Sequence, residues 1–187
     1  MGVPIISNVV NGIKGGLKAT LKGTADTGSV LANSVKNVAV TTLKGTGELV
    51  VKGLQVPASI VAGAFEGVAD VGVSVVKSAR GIVNGTIQGA TDSGVSQKDA
   101  VQGSVRQAIE SAKDLGEDVA EVAVEAVKGA VNGVKQIGGD TVGAAKDAIV
   151  AALEAAKDIG GETVESVKTA LNSSVDGAKE ILNEIKK

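Results

Sequence analysis

The sequence predicts an all-α protein, built from eight 22-residue amphipathic repeats that form one long helix, helical hairpins or a bundle. Three observations predict it. The first is the repeat itself. Stepping by 22 from Leu17 gives Ala39, Val61, Val83, Val105, Val127, Ile149 and Leu171, all apolar. The same step from Leu21 gives Leu43, Phe65, Ile87, Ile109, Val131, Leu153 and Val175, again all apolar. A fixed period of this length marks an array of one small structural unit. The second observation is the length of the period. Twenty-two is twice eleven, and eleven residues make three turns of about 3.67 residues, close to the α-helical value. An apolar stripe on such a helix hardly drifts. The third is the lack of any alternation with period two, which a half-buried strand would show.

On this helix consecutive residues advance by about 98°. The Leu21 series lies at one edge of the stripe and the Leu17 series about 33° inside it. The Ile13 series runs through Val35, Pro57, Ala79, Val101, Ala123, Ala145 and Val167. The acidic series Asp26, Glu48, Asp70, Asp92, Asp114, Gln136, Asp158 and Glu180 falls on the opposite side. Gly23, Gly45, Gly67, Gly89, Ser111, Gly133, Ala155 and Gly177 form a series of small residues. The stripe expected to face a lipid or a partner is Ile13, Leu17, Leu21, Val35, Leu43, Val61, Phe65, Val83, Ile87, Val105, Ile109, Val127, Val131, Ile149, Leu153, Leu171 and Val175. Lys14, Lys36, Arg80, Lys146 and Lys168 share one repeat position beside it, and Lys14, Lys18 and Lys22 form an i, i+4 row. Long cationic side chains there can lay their stems on an apolar face and hold the charge outward. Lys14, Lys18, Lys22, Lys36 and Lys44 are therefore the candidate contacts to anionic lipid.

The helix ends have two readings. The segments around Leu115-Gly116, Ile137-Gly138 and Ile159-Gly160 recur in phase, each followed by Asp or Thr. Glycine after an apolar residue is a C-terminal stop, and Asp or Thr after it is an N-cap. Each repeat is then a helix of about 17 residues, with turns near 116, 138 and 160. In the other reading Gly72, Gly94, Gly116, Gly138 and Gly160 lie within one long helix, where they let two backbones approach. Kinks are expected near Pro57, which cannot donate a backbone hydrogen bond, and near Gly94.

The chain divides by charge into a basic region, 1–90, and an acidic region, 91–187. The first holds eight Lys/Arg against four Asp/Glu, and the second eleven against seventeen. The net charge of −2 leaves no global basic footprint for nucleic acid. With no His, Cys, Trp or Tyr and a single Phe, the composition rules out Ser/His and Cys/His nucleophiles and stacking platforms. No metal-ligand spacing occurs, and Gly15-Gly16-Leu17-Lys18-Ala19-Thr20 lacks the order of a phosphate-binding loop. The expectation is a non-enzyme with no cofactor, metal, nucleic acid or small-molecule substrate. No stretch of about 20 apolar residues predicts a membrane span, and no basic segment precedes an apolar one as in a signal peptide. The serine after Met1-Gly2 comes one place late, at Ser7, for a myristoylation motif.

A long stripe on a glycine-rich helix gains order when it meets a surface. Many weak Val, Ala and Thr contacts in series then supply the binding. The segments Val10 to Thr24 and Val38 to Thr46 resemble the 11-residue repeats of perilipins, the coat proteins of lipid droplets. The basic front and acidic back are similar to synucleins, and the 22-residue unit to exchangeable apolipoproteins. The resemblance lies in period and composition. It implies a protein that coats a lipid droplet, storage granule or membrane, peripheral to that surface and inside the cell. One alternative is a self-assembling helical scaffold or filament, because an 11-residue period favours helix-on-helix packing and homo-oligomers. Another is a protective helix of the desiccation type, although the mean hydropathy of +0.24 is high for that class.

Overall fold

A computed structural model describes residues 6–21, 29–45 and 54–186. Among these the elements are all helices: α1 (Ser7–Leu21), α2 (Ser29–Gly45), α3 (Gln55–Asp70), α4 (Val75–Asp92), α5 (Gln97–Asp114), α6 (Val119–Gln136), α7 (Thr141–Ile159), α8 (Thr163–Ser174) and α9 (Ala178–Ile185). Each helix packs on the second helix after it, from α1 on α3 to α7 on α9. Consecutive helices also pack side by side, with at most slight contact between α2 and α3 among the described residues. The odd-numbered helices thus stack in one layer and the even-numbered helices in a second. Helices pack across residues 90–99, so the change in charge balance falls within a continuous array.

The glycine series at 72, 94, 116 and 138 makes turns and does not lie inside a helix. Its members take φ values of +78°, +103°, +73° and +72°, a region that costs other residues a Cβ clash. At the first, the Val73 N–H donates to the Val68 carbonyl at 3.0 Å and the Gly72 N–H to the Ala69 carbonyl at 3.1 Å. This double closure, the Schellman motif, satisfies the last carbonyls of the helix, and it recurs at Gly94, Gly116 and Gly138. Two residues after each glycine stands an N-cap. Ser74, Ser96, Asp118 and Asp140 accept from the N–H groups of Lys77, Asp99, Glu121 and Gly143. Each such cap stabilises a helix by about 1 kcal/mol. The cassette lapses at the last turns, where Glu162 and Gly177 begin α8 and α9 without a side-chain cap.

Pro57 does not kink a helix. It lies in the first turn of α3, where its missing N–H would have no helical partner anyway. Gly94 marks a complete break between α4 and α5 and not a bend.

The stripe is the core. Leu17, Ala39, Val61, Val83, Val105, Val127, Ile149 and Leu171 are all fully buried. So are Ile13, Val35, Phe65, Ile87 and Ile109, with Leu43 nearly so. The expectation that these side chains face a lipid or a separate partner is thereby corrected: they face the chain's own helices. Folding back supplies the second apolar surface that a single helix lacks. Val131, Leu153 and Val175 are half-buried. The short α8 and α9, of 12 and 8 residues, leave the C-terminal halves of α6 and α7 less covered. Leu21 lies outside the residues whose side chains are described.

Same-layer helices approach closely because small residues face the neighbour's backbone. A Cβ on Gly63 would stand 2.5 Å from the Val10 carbonyl oxygen and 2.9 Å from the Ile13 Cβ. Gly85 meets Ala32, and Gly129 meets Arg80, in the same way. The partners at the next turn are Gly67, Gly89 and Gly133. Close backbone approach is therefore the work of this second glycine row, and the mid-stripe series makes the turns.

Candidate interaction surfaces

The lysine rows of the sequence are spent within the array. Lys14 on α1 meets Glu66 at 3.4 Å and Asp70 at 3.3 Å on α3, and Lys18 meets Asp70 at 3.4 Å. Lys36 on α2 meets Asp92 on α4 at 3.5 Å. Arg80 on α4 holds Glu125 on α6 through two bonds of 2.9 and 3.0 Å. Arg106 on α5 bridges Glu154 and Asp158 on α7 at 2.9 and 2.7 Å. Lys146 on α7 meets Glu184 on α9 at 3.7 Å. Every one of these bridges runs from a cation to a carboxylate two helices later, in the same layer. Each contributes little by itself, because exposed pairs are screened by water. Together they fix which helix lies beside which. The expectation that Lys14, Lys18 and Lys36 reach outward to lipid headgroups is corrected to this extent. Lys22 and Lys44 lie outside the residues whose side chains are described.

Proton affinities follow the same geometry. Lys14, through its hydrogen bond, its charge and the help of Lys18, holds the Asp70 carboxyl below the usual range. Asp70 and Glu66 in turn push Lys14 up. Glu110 on α5 goes the other way: desolvation by burial raises it, against the pull of Arg106.

Polar groups also join non-adjacent turns. The Gln97 side chain donates to the Asp140 carbonyl at 3.0 Å and accepts from the Asp140 N–H at 3.1 Å. A Cβ on Gly139 would meet that amide, so a larger residue there would push the Gln97 side chain aside. Gln88 on α4 donates to Asn84 and to Gln136 on α6.

A groove crosses the outer face of the even layer. It encloses about 650 Å³, with α6 as its floor and α4 and α8 as its walls. Val76, Ala120, Val124 and Ala170 supply apolar surface. Lys77, Arg80 and Lys128 stand among Asp118, Glu121 and Glu125, so the lining carries three charges of each sign. Sequence reasoning placed Arg80 beside the stripe but did not join it to the other lining residues. A signal was present: Val10, Ala32, Leu54, Val76, Ala120, Val142 and Val164 are apolar at one repeat position, 11 residues out of phase with the Leu21 series. Val142 is 78% exposed, the largest exposure among the described large apolar residues.

The described lining of the groove holds no histidine or cysteine. Among the described residues no group of three or more acidic side chains could hold a metal ion, and no helix is long and apolar enough to cross a membrane. The arrangement can bind by shape and charge.

No family model and no curated protein matches the chain. Among solved structures it is similar to the crystal structure of the de novo designed helical repeat protein DHR7. The TM-score is 0.57 and the identity 21%, over 95% of each chain. At that identity the likeness speaks to the fold alone, a helical repeat.

Proposed function

We propose that this chain is a non-enzymatic helical-repeat scaffold that associates with copies of itself. One observation carries the reading. Seven same-layer interfaces follow one another from α1 on α3 to α7 on α9, and α1–α3, α2–α4 and α4–α6 each combine glycines against the neighbour's backbone with a cation that reaches two helices ahead. Most of the distinctive residues are spent on joining one repeat to the next, which is what a scaffold requires. Light scattering across protein concentrations tests it. Mass should rise between about 1 µM and about 1 mM, the range of weak association. A constant monomer mass over that range would refute it.

A second reading, a coat on a lipid droplet, storage granule or membrane, draws support from α1 and α2. Neither carries an acidic residue, and both bury a full apolar face. Under this reading the protein is peripheral to its surface, and the layers separate there so that the stripe changes partner. Co-flotation with anionic and with neutral vesicles tests it. No flotation with either would remove it.

A further inference from the structure

We infer that Asp176-Gly177 is a spontaneous modification site, where aspartate turns to isoaspartate and unlatches α9 from the array. The inference stands apart from the scaffold reading, since it concerns one joint within a single chain.

The chemistry needs Asp or Asn followed by glycine, an amide nitrogen without a fixed bond, and room for a ring. Glycine lacks a Cβ, so its nitrogen can reach the preceding side chain. Such pairs occur at Asn11-Gly12, Asn84-Gly85, Asn132-Gly133 and Asp176-Gly177. The three asparagine pairs lie inside α1, α4 and α6. In a helix interior the glycine N–H is held by the carbonyl four residues back. The Asn84 side chain is also buried and accepts from Gln88 at 2.7 Å. Gly85 and Gly133 stand against the backbones of α2 and α4. Asp176-Gly177 differs on every count. It lies between α8 and α9, and both residues are exposed. Among the described residues the Gly177 N–H donates to no group and the Asp176 carboxylate makes no ion pair. A Cβ on Gly177 would meet nothing within 4 Å, so a ring has space.

In the reaction the Gly177 nitrogen attacks Cγ of the protonated Asp176 carboxyl. A C–N bond forms, the C–OH bond breaks, and the nitrogen's proton leaves with the hydroxyl as water. The product is a cyclic imide. Water then adds at one of its carbonyls. Opening at Cγ restores aspartate. Opening at the main-chain carbonyl leaves the chain running through Cβ and Cγ, one carbon longer, with the carboxylate now on the former main-chain carbon. The water lost is regained, so the net change is an isomerisation.

The joint matters because α9 has only 8 residues, too few to hold a helix alone. It depends on its seat. Ala178 and Leu182 are buried, the helix packs on α7 and α8, and Glu184 meets Lys146 at 3.7 Å. Ala178 follows the joint directly. An added carbon there shifts the start of α9 and undoes the seat. No side-chain cap fixes this turn, unlike those after Gly72, Gly94, Gly116 and Gly138.

The full chain is held in warm neutral buffer made with heavy-oxygen water, folded in one sample and unfolded by urea in another. Imide hydrolysis labels each site, and peptide mass spectrometry reads the label. A carboxamide is a better electrophile than a carboxylate, so in urea Asn84 and Asn132 should outrun Asp176. In the folded chain the order should reverse. The asparagines react only when a helix opens and should slow by about 100-fold or more, whereas an exposed turn needs no opening and Asp176 should stay within about threefold. Slower labelling at Asp176 than at Asn84 or Asn132 in the folded chain overturns the site. Hydrogen exchange on the isomerised fraction should show residues 178–185 losing protection while α5 and α6 keep theirs. The variant Asp176→Glu, whose larger ring closes far more slowly, should keep α9 protected after the same incubation. The unlatching is overturned if α9 is equally protected in fresh and isomerised protein, if it is unprotected from the start, or if Asp176→Glu loses it as well.

Discussion

The stretch α3–α7 and the hairpin α1–α2 carry the same stripe but are held in different ways. In α3–α7 every helix has two kinds of neighbour, and each joining turn repeats one glycine closure and one cap. In α1–α2 the stripe is equally buried, and among the described residues the hairpin meets the rest of the chain mainly through same-layer packing. Equal burial therefore does not mean equal attachment. Local turn chemistry binds consecutive helices in the first region, and the described contacts that hold the second to the rest of the chain are packing between distant segments.

The largest effect expected from this difference is a split response to core truncation. Ile109→Ala in α5 and Ile13→Ala in α1 both remove a fully buried side chain, at about 2–5 kcal/mol each. Amide hydrogen exchange should show loss of protection across α3–α7 for Ile109→Ala. For Ile13→Ala the loss should be confined to residues 7–45. Equal loss in both regions would mean that the hairpin is as firmly integrated as the middle.

A smaller effect sharpens the contrast through glycine. Gly94 closes a turn at φ +103°, so Gly94→Ala should destabilise by about 1 kcal/mol or more. Gly15 lies exposed inside α1 with nothing within 4 Å of a Cβ. Gly15→Ala should stabilise the hairpin by roughly 0.5–1 kcal/mol, because alanine is the better helix former. Thermal unfolding followed by far-ultraviolet circular dichroism reads both signs. A gain at Gly94 would show that the turn does not need its left-handed residue.

The smallest effect is with acid, and the two regions should move in opposite directions. Lys14 holds Asp70 below the usual carboxylate range. That contribution is present above the unfolded value and is lost as pH falls through the lowered folded value. Burial raises Glu110 in α5. The folded state then binds that proton more readily, so lowering the pH through the raised folded value favours folding there. Hydrogen exchange across the acid range should show the hairpin losing protection first, with α5 gaining slightly before carboxylate protonation elsewhere dominates. Asp70→Asn should flatten the response of the hairpin. An unchanged response would place the acid sensitivity elsewhere.

Much of this was legible beforehand. The period located the core positions, and the Leu17 series is buried at every repeat. Helix lengths of 16 to 19 residues in α3–α7 follow from glycine and cap signals spaced by 22. The role of Gly72, Gly94, Gly116 and Gly138 was open, since a 22-residue spacing suits a turn and a mid-stripe contact alike. The lysine rows were visible, but their carboxylates lie 38 to 56 residues away. That separation has meaning only once helix n is known to lie beside helix n+2. The even-layer groove was missed for the same reason, because its walls come from three helices.

The amino-acid sequence by itself determined that this chain is helical and which residues leave water. Those are consequences of backbone geometry and side-chain periodicity, which act over a few residues. What the stripe leaves water for was decided only in three dimensions. Hydrophobic burial is non-directional, so an apolar face accepts a lipid, another copy or its own chain alike. Left-handed glycines that reverse the chain, small residues that let backbones meet and bridges that reach two helices ahead turned that open choice into a two-layered array.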